Sequence, residues 1–179
     1  MLGKYHLAFG ITSSLAALTL AHTAGISVGD TEKVIFISCA ALGSLLPDID
    51  SPDSTLGKIV PFISSFIYKT VGHRVLFHDA LVFIPLFILS IFVKNPIFLG
   101  IMFGYVGHLF LDSFTKSGIC FNYFGNRKAI KNGWGELGVG RFHILPEILR
   151  FKGNSFIAKA FTVILCFVNL YIFYSKAYM

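Results

Sequence analysis

Five apolar blocks, separated by short polar segments, are the feature that most constrains the fold of this 179-residue chain. The blocks lie at about residues 7–24, 34–46, 75–93, 97–114 and 156–174. Most of them approach the roughly 20 residues that a helix needs to cross a bilayer. Only 13% of the chain is charged, about half the fraction usual in soluble domains. The pattern predicts an all-α integral membrane protein, a bundle of about five transmembrane helices within one domain covering residues 1–179.

Two of these blocks admit a second interpretation. The block at 7–24 could be a cleaved signal peptide, because the small residues from Ala21 to Ala24 resemble a cleavage region. The four blocks that follow it favour a retained span. The block at 34–46 is short for a span, so we expect it to tilt or to continue through the Pro47 turn inside a water-filled cavity.

Residue spacing within the helices predicts what two of them contact. Apolar residues from Ile59 to Val71 recur at helical spacing, with Lys58 and Lys69 near the ends. This pattern is typical of an amphipathic helix that lies in the membrane interface. In the fourth block, Gly100 and Gly104 have the spacing that allows close approach to another helix.

The distribution of basic residues predicts the orientation in the membrane. With five spans, only Lys33, Lys94 and Lys176 fall on one side, and the other Lys and Arg residues fall on the side of the amino terminus. Positive charge favours the cytoplasm, so we expect a cytoplasmic amino terminus and an external carboxyl terminus. The net charge of +6 also suits anionic lipids as partners. No basic groove with stacking aromatics indicates a nucleic-acid partner.

Histidines and carboxylates from five separate segments fall on that predicted cytoplasmic face. Ionisable groups are costly in hydrocarbon, which favours a functional role for them. For the acidic turn LGSLLPDIDSPDSTLG alone, a polar loop that caps a helix is an equal alternative. His22 lies elsewhere and is interpreted as an interfacial residue. The candidate residues are His6, Asp48, Asp50, Asp53, His73, His78, Asp79, His108 and Asp112, together with His143 and Glu147 in a basic loop at 116–152.

The sharpest pair in this set is His108 with Asp112. Residues four apart on a helix share one face, about 6 Å apart, so both could bind one metal ion or the acid could orient the imidazole. His73 and His78 are five residues apart, which is not one face of a regular helix. A turn at Gly72 would let them converge.

The types of donor predict which metal would bind. Neutral imidazoles with carboxylates and without thiolates suit zinc, with manganese or iron as alternatives. The three cysteines form no CxxC pair and indicate neither a disulfide framework nor a thiolate site. Paired ions lower the pKa of a bridging water and clamp the oxygens of a displaced group, which fits phosphoester hydrolysis. Arg74 is either a fork for a phosphate or a positively charged membrane anchor.

Three segments, LGSLLPDIDSPDSTLG, HRVLFH and GHLFLD in this order, resemble the signature of the YdjM family. These are bacterial inner-membrane proteins described as metal-dependent hydrolases and often associated with the SOS response. The resemblance covers nearly the whole chain. It implies a polar centre formed by His6, Asp48, Asp50, His73, His78, His108 and Asp112. The chain departs from the family pattern at Val75 and Asp79, where a glycine and a small hydroxyl residue are usual, and this leaves the ligand number around His78 open.

A more distant similarity is to the zinc-dependent phospholipase C and single-strand nuclease group. Its members use HxxxD and HxxxE pairs from several helices. His108 with Asp112 matches the first pattern, and His143 with Glu147 matches the second. Pro146 lies inside the second pair, so that match is equally a coincidence within a loop.

These observations predict a membrane-bound metal-dependent hydrolase that acts on a lipid-derived phosphoester at the cytoplasmic membrane face. The alternative is a non-catalytic cation-binding membrane protein with a role in transport or as a scaffold. The sequence leaves the substrate, the number of metal ions and the oligomeric state open. The expected metal ligands are His6, Asp48, His73, His108 and Asp112. The expected catalytic residues are Asp50, Asp53, His78 and Arg74.

Overall fold

The computed structural model describes residues 3–121 and 141–177, which are mostly helical. Most of the predicted basic loop, residues 122–140, therefore lies outside the described part of the chain. The helices are α1 (Gly3–Thr23), α2 (Asp30–Gly43), α3 (Pro61–Thr70), α4 (Ala80–Val93), α5 (Pro96–Asp112) and α6 (Phe156–Ala177). Between them lie 3₁₀ turns at Leu46–Asp50, Leu76–His78 and Glu147–Leu149, and the antiparallel strands β1 (Ile119–Cys120) and β2 (Arg141–Phe142). The helical class was predicted, whereas the small strand pair was not.

Within the described residues, one helix is both long and apolar enough to cross a membrane. It is α6, whose candidate span covers Phe156–Lys176 with a mean hydropathy of 2.1. Helix α1 has 21 residues but contains several serines and threonines. Helices α4 and α5 are apolar but have only 14 and 17 residues, and 14 residues cover only about 21 Å of a hydrocarbon core of about 30 Å. Five transmembrane helices are therefore not supported.

The third apolar block becomes helical later than predicted. Leu76–His78 forms a 3₁₀ turn, and Asp79 then accepts a hydrogen bond from the backbone N–H of Leu81 at 2.9 Å. Aspartate is a preferred N-cap because its oxygen satisfies an amide that has no partner within the helix. Helix α4 consequently begins at Ala80, and His78 lies before the helix rather than in its first turn.

Helices α2 and α5 lie in close contact, which confirms the packing role predicted for the glycines of α5. A Cβ atom at Gly104 would lie 1.9 Å from the carbonyl oxygen of Ala40, and one at Gly100 would lie 2.6 Å from that of Phe36. Only hydrogen fits at either position, so the two backbones touch. This contact holds the turn at Leu46–Asp50, directly after α2, against the carboxyl-terminal half of α5.

Helix α3 has an exposed apolar face. Phe62 and Phe66 are 90% and 68% exposed, whereas Ser64 is fully buried. The helix packs on the Leu46–Asp50 turn. The predicted amphipathic helix is therefore present, and its insertion into the membrane interface stays a prediction.

Candidate metal centre

Histidines and aspartates from five segments meet in one buried group near the carboxyl-terminal end of α5, here called the His–Asp cluster. Its histidines and acids are almost inaccessible to solvent, with two partial exceptions: Asp48 is 7% exposed, and the side chain of His73 is 33% exposed. His73 therefore marks the accessible edge. The members are His6 (α1), Asp48 and Asp50 (3₁₀ turn Leu46–Asp50), His73 and Arg74 (loop after α3), His78 (3₁₀ turn Leu76–His78), and His108 and Asp112 (α5).

A backbone carbonyl determines which nitrogen of His108 carries the proton. Nδ1 lies 2.7 Å from the carbonyl oxygen of Ser44 and must donate there, so Nε2 of the neutral ring carries a lone pair. This Nε2 lies 3.7 Å from Asp48 Oδ1 and 3.7 Å from Asp112 Oδ2. A lone pair and two carboxylates that face one another repel unless a cation or a proton lies between them. The arrangement therefore favours cation binding.

His78 repeats this geometry from another segment of the chain. Its Nε2 lies 3.8 Å from Asp48 Oδ1 and 3.6 Å from Asp112 Oδ2. Together with His108 this gives a ring of four atoms in which imidazole nitrogens and carboxylate oxygens alternate. The separations exceed those of hydrogen bonds, about 2.7–3.2 Å. They are close to the roughly 3.3–3.6 Å that separates two ligands of a tetrahedral zinc ion with bonds of about 2.0–2.2 Å.

His6 brings a third imidazole to this ring. It stacks on His108 with the ring centroids 3.6 Å apart, and its Nε2 lies 3.6 Å from Asp112 Oδ1. Both ring nitrogens of His6, both of His78 and Nε2 of His108 are buried without a hydrogen-bond partner among residues 3–121 and 141–177. Such groups are rare in folded proteins because leaving them unpaired is costly. Their concentration here fits metal ligands.

The ligand atoms form three overlapping groups, each with separations within 4.8 Å. The groups are His6–Asp48–His108, His78–His108–Asp112 and Asp48–Asp50–His73. Because Asp48 and His108 belong to two groups each, the cluster offers ligands for more than one ion. Imidazole and carboxylate donors without thiolate suit zinc, manganese or iron.

Asp50 orients the accessible edge of the cluster. Its Oδ1 accepts a hydrogen bond from His73 Nδ1 at 2.6 Å, and its Oδ2 accepts one from the backbone N–H of Arg74 at 2.8 Å. Burial raises the pKa of Asp50, but the hydrogen bond from His73 and the nearby imidazole of His78 outweigh burial and hold the pKa below its ordinary range. Because an ionised Asp50 accepts the hydrogen bond from Nδ1, the lone pair of a neutral His73 lies on Nε2. Carboxylates commonly position histidine ligands of metal ions in this way.

Arg74 lies inside the cluster rather than on the surface. Its Nη2 is 2.7 Å from Asp112 Oδ2, and its side chain is only 13% exposed. Its φ angle of +58° is uncommon for a residue other than glycine. Its carbonyl oxygen accepts a hydrogen bond from Arg141 Nη1. Arg74 therefore does not occupy the position of an exposed interfacial anchor.

The structure does not bring Asp53 into the cluster. Beyond Asp50 the chain folds back on itself, and the Ser54 hydroxyl donates to the carbonyl oxygen of Asp48 at 2.7 Å. This leaves Asp53 exposed at the outside of the loop. The prediction that all three acids of the turn converge is wrong for this one.

Three other candidates belong to none of the three ligand groups. Nε2 of His143 contacts the carbonyl oxygen of Lys116 at 3.2 Å, and Glu147 is exposed in the third 3₁₀ turn. Asp79 caps α4, which any small hydroxyl residue at the same position could also do. The departure from the family pattern at position 79 therefore keeps a capping residue there and adds no ligand to the groups described above.

Two residues that position the cluster were not predicted. One is Ser44, which acts through its carbonyl oxygen on His108, and a backbone acceptor has no sequence signature. The other is Tyr105, whose hydroxyl donates to the carbonyl oxygen of Phe77 at 2.6 Å and so holds the turn that carries His78. Its spacing was informative, because Tyr105 lies three residues before His108 and hence on the same helix face.

Fold and site together define a helical protein with a membrane-length apolar helix and a buried histidine–aspartate centre where helix ends and turns meet. Comparison with known families makes the assignment specific. The chain belongs to the YdjM family: the family model described as YdjM inner membrane protein matches residues 1–177. This confirms the resemblance seen in the three sequence segments.

Two relatives show how far the similarity extends. The chain is 35% identical over 121 residues to the uncharacterized protein YvsG of Bacillus subtilis (strain 168), covering 66% of this chain and 71% of YvsG. It is 32% identical over 126 residues to the inner membrane protein YdjM of Escherichia coli (strain K12), covering 66% of this chain and 63% of that protein. No solved structure matches significantly. The family places this chain among inner-membrane proteins.

Proposed function

We propose that this protein is a metal-dependent hydrolase that acts on a lipid-derived phosphoester at the cytoplasmic face of the inner membrane. The observation that carries the proposal is the ring of alternating nitrogen and oxygen atoms from His78, His108, Asp48 and Asp112, with separations of 3.6–3.8 Å. Arg74 compensates part of this charge at Asp112 Oδ2, and a cation or protons within the ring would relieve the rest of the repulsion.

A divalent transition metal, zinc in first place, would be held by this ring, with His6 beside it. Bound there, such an ion would supply a Lewis acid for a phosphoryl oxygen and would lower the pKa of a water molecule. The protein's own residues supply the remaining functions. Asp50 fixes the His73 imidazole at the accessible edge, where a substrate would meet the cluster, and Arg74 brings a positive charge into it.

The lipid-derived part of the proposal is supported by the apolar surface next to the cluster. Helix α3 exposes Phe62 and Phe66, and the loop that follows it carries His73 and Arg74. A helix with an apolar face and flanking lysines binds at the level of lipid headgroups. Its attachment there would bring the accessible edge close to headgroup phosphates. The excess of basic residues on this side supports the cytoplasmic orientation, with the apolar α4–α5 hairpin entering the bilayer beside α6.

Hydrolysis by the purified protein tests the proposal directly. The assay offers phosphatidic acid, undecaprenyl pyrophosphate and phospholipids in mixed micelles with zinc or manganese, and it measures released phosphate or headgroup. Asp112→Asn should lose activity by about 10- to 100-fold or more, because it removes the charge that binds the cation or raises the basicity of its histidine ligand. Circular dichroism checks that the variant folds.

The matched control is Asp30→Asn, at the far end of α2. Its side chain is 95% exposed and pairs only locally with Lys33, so this variant should retain full activity. Equal product release by wild type and Asp112→Asn on every substrate would refute the hydrolase proposal for that panel.

A second candidate function is cation binding without turnover, as a transport or scaffold component. The near-complete burial of His6, His78 and His108 favours it, because a catalytic ion needs an open position for its substrate. If the protein binds metal in a manner that depends on His108 but hydrolyses none of the substrates, this second function becomes the better account.

A further inference from the structure

We propose that the Arg74 guanidinium is a built-in counter-ion that a metal ion displaces from Asp112, and that the displaced guanidinium then binds an oxyanion of the phosphoryl class. The inference rests on the proposed function and describes how the same site would be regulated. According to this inference, Arg74 weakens metal binding and strengthens phosphate binding.

The first step concerns the charge on Asp112. Asp112 is fully buried, and an uncompensated carboxylate in such a place is strongly destabilising. Arg74 Nη2, 2.7 Å away, compensates it. The oxygen it contacts, Oδ2, is the same atom that lies 3.6 Å from His78 Nε2 and 3.7 Å from His108 Nε2. The guanidinium and a metal ion in the ring therefore compete for one oxygen.

The second step concerns the other arm of the guanidinium. Arg74 Nη1 is buried and has no hydrogen-bond acceptor among the described residues. A guanidinium presents its N–H donors as a rigid fork that matches the paired oxygens of a carboxylate or phosphate. One arm of this fork forms an ion pair with Asp112, and the other has no acceptor among the described residues. Once Asp112 binds a metal ion instead of Arg74, an oxyanion at the cluster would satisfy both arms.

The third step concerns what can move. The backbone of Arg74 is held on both sides, because its N–H donates to Asp50 and its carbonyl oxygen accepts from Arg141. The displacement is therefore confined to the flexible side chain, which keeps the guanidinium within reach of the cluster. Metal binding would release the fork without disturbing the loop that carries His73.

The competition predicts opposite effects of one substitution. Arg74→Gln removes the competing charge, so zinc should bind about 10- to 100-fold more tightly, the size expected for loss of a competing interaction with a charged group. The same variant, once loaded with zinc, should bind inorganic phosphate at least about tenfold more weakly. Arg74→Lys keeps the charge but not the fork, so its zinc affinity should stay near that of wild type and its phosphate affinity should fall.

The experiment measures zinc affinity by competition with a chelator, and then phosphate affinity of the zinc-loaded protein by calorimetry, in full-length protein in detergent. Arg150→Gln is the matched control, because Arg150 bonds the local carbonyl of Leu145 and lies outside the cluster. It should change neither affinity. Thermal unfolding of each variant shows whether it is folded, and Arg74→Lys retains the buried charge if Arg74→Gln does not fold.

Three results would overturn the inference: weaker binding of both zinc and phosphate by Arg74→Gln, zinc affinity equal to that of wild type, or no zinc binding by any form. The first would indicate a purely structural role for Arg74. Opposite shifts in a protein that hydrolyses nothing would refute the proposed hydrolase activity alone. Hydrolysis with an unchanged zinc affinity in Arg74→Gln would refute this inference alone.

Discussion

Gly104→Ala should damage the metal centre although residue 104 is not a ligand. Gly104 lies where α5 touches α2, and the added Cβ would fall 1.9 Å from the carbonyl oxygen of Ala40 and 2.7 Å from the backbone nitrogen of Ser44. Both obstacles are backbone atoms, so no side-chain rotation relieves the clash. The helices themselves must separate.

The structure sets the size of this effect. An ordinary contact begins at 3.4 Å, so α2 and α5 must part by about 1.5 Å, the difference between 3.4 and 1.9 Å. Overpacking of this kind costs about 1–3 kcal/mol, and occasionally more. The usual gain from replacing a helical glycine by alanine, about 0.5–1 kcal/mol, offsets only part of it. We expect a net loss in free energy of unfolding of about 0.5–2 kcal/mol.

The same displacement should weaken metal binding. Asp48 lies in the 3₁₀ turn that comes after α2, and His108 lies on α5 with its Nδ1 on the Ser44 carbonyl oxygen. A shift of about 1.5 Å between the two helices far exceeds the roughly 0.2 Å within which ligand distances must agree. Zinc affinity should therefore fall about tenfold or more, measured by chelator competition, and stability should fall in thermal unfolding monitored by circular dichroism.

Gly107→Ala on the same helix is the matched control. A Cβ there would meet only ring atoms of Phe9 at 3.6 and 3.7 Å, which is ordinary contact. This variant should bind zinc as wild type does and should be equally or slightly more stable. If Gly104→Ala and Gly107→Ala were indistinguishable in stability and zinc affinity, the argument from close α2–α5 packing would be wrong.

Three further predictions concern the metal, the cap and the topology. His108→Ala should lose most bound transition metal in elemental analysis, while His22→Ala, at an exposed helix end, should not; equal metal content would contradict the ligand assignment. Asp79→Ala should lower the free energy of unfolding by about 0.5–2 kcal/mol through loss of a cap, whereas Asp79→Ser should restore most of it; equal stability of the two would argue against capping. A periplasm-dependent phosphatase fused after Met179 should be active if the carboxyl terminus is external, and a well-expressed but inactive fusion would argue for the opposite orientation.

Much of the site could be predicted from sequence because its signals are local. A histidine and an acid four residues apart on an apolar helix share a face whatever surrounds them, and this holds for His108 and Asp112. The spacing of Gly100 and Gly104 likewise predicted a close helix contact. Asp48 and Asp50 were expected at a helix end because the prolines around them stop the helix.

The helix boundaries show where such local reasoning failed. The block at 75–93 was counted as one span because its composition is apolar apart from His78 and Asp79. Composition does not reveal that Leu76–His78 forms a 3₁₀ turn, or that Asp79 starts a new helix of 14 residues. Length alone therefore overestimated the number of helices able to cross a membrane.

By itself, the sequence determined the helical class, the family and most members of the His–Asp cluster, since apolar periodicity and short motifs depend on neighbours along the chain. Only the tertiary structure decided that Asp53 stays outside, that Ser44 sets the tautomer of His108, and that Arg74 pairs with Asp112. Each of these depends on contacts between segments far apart in sequence or on how a loop folds back. Such contacts are set by packing geometry, and neither residue type nor spacing encodes that geometry.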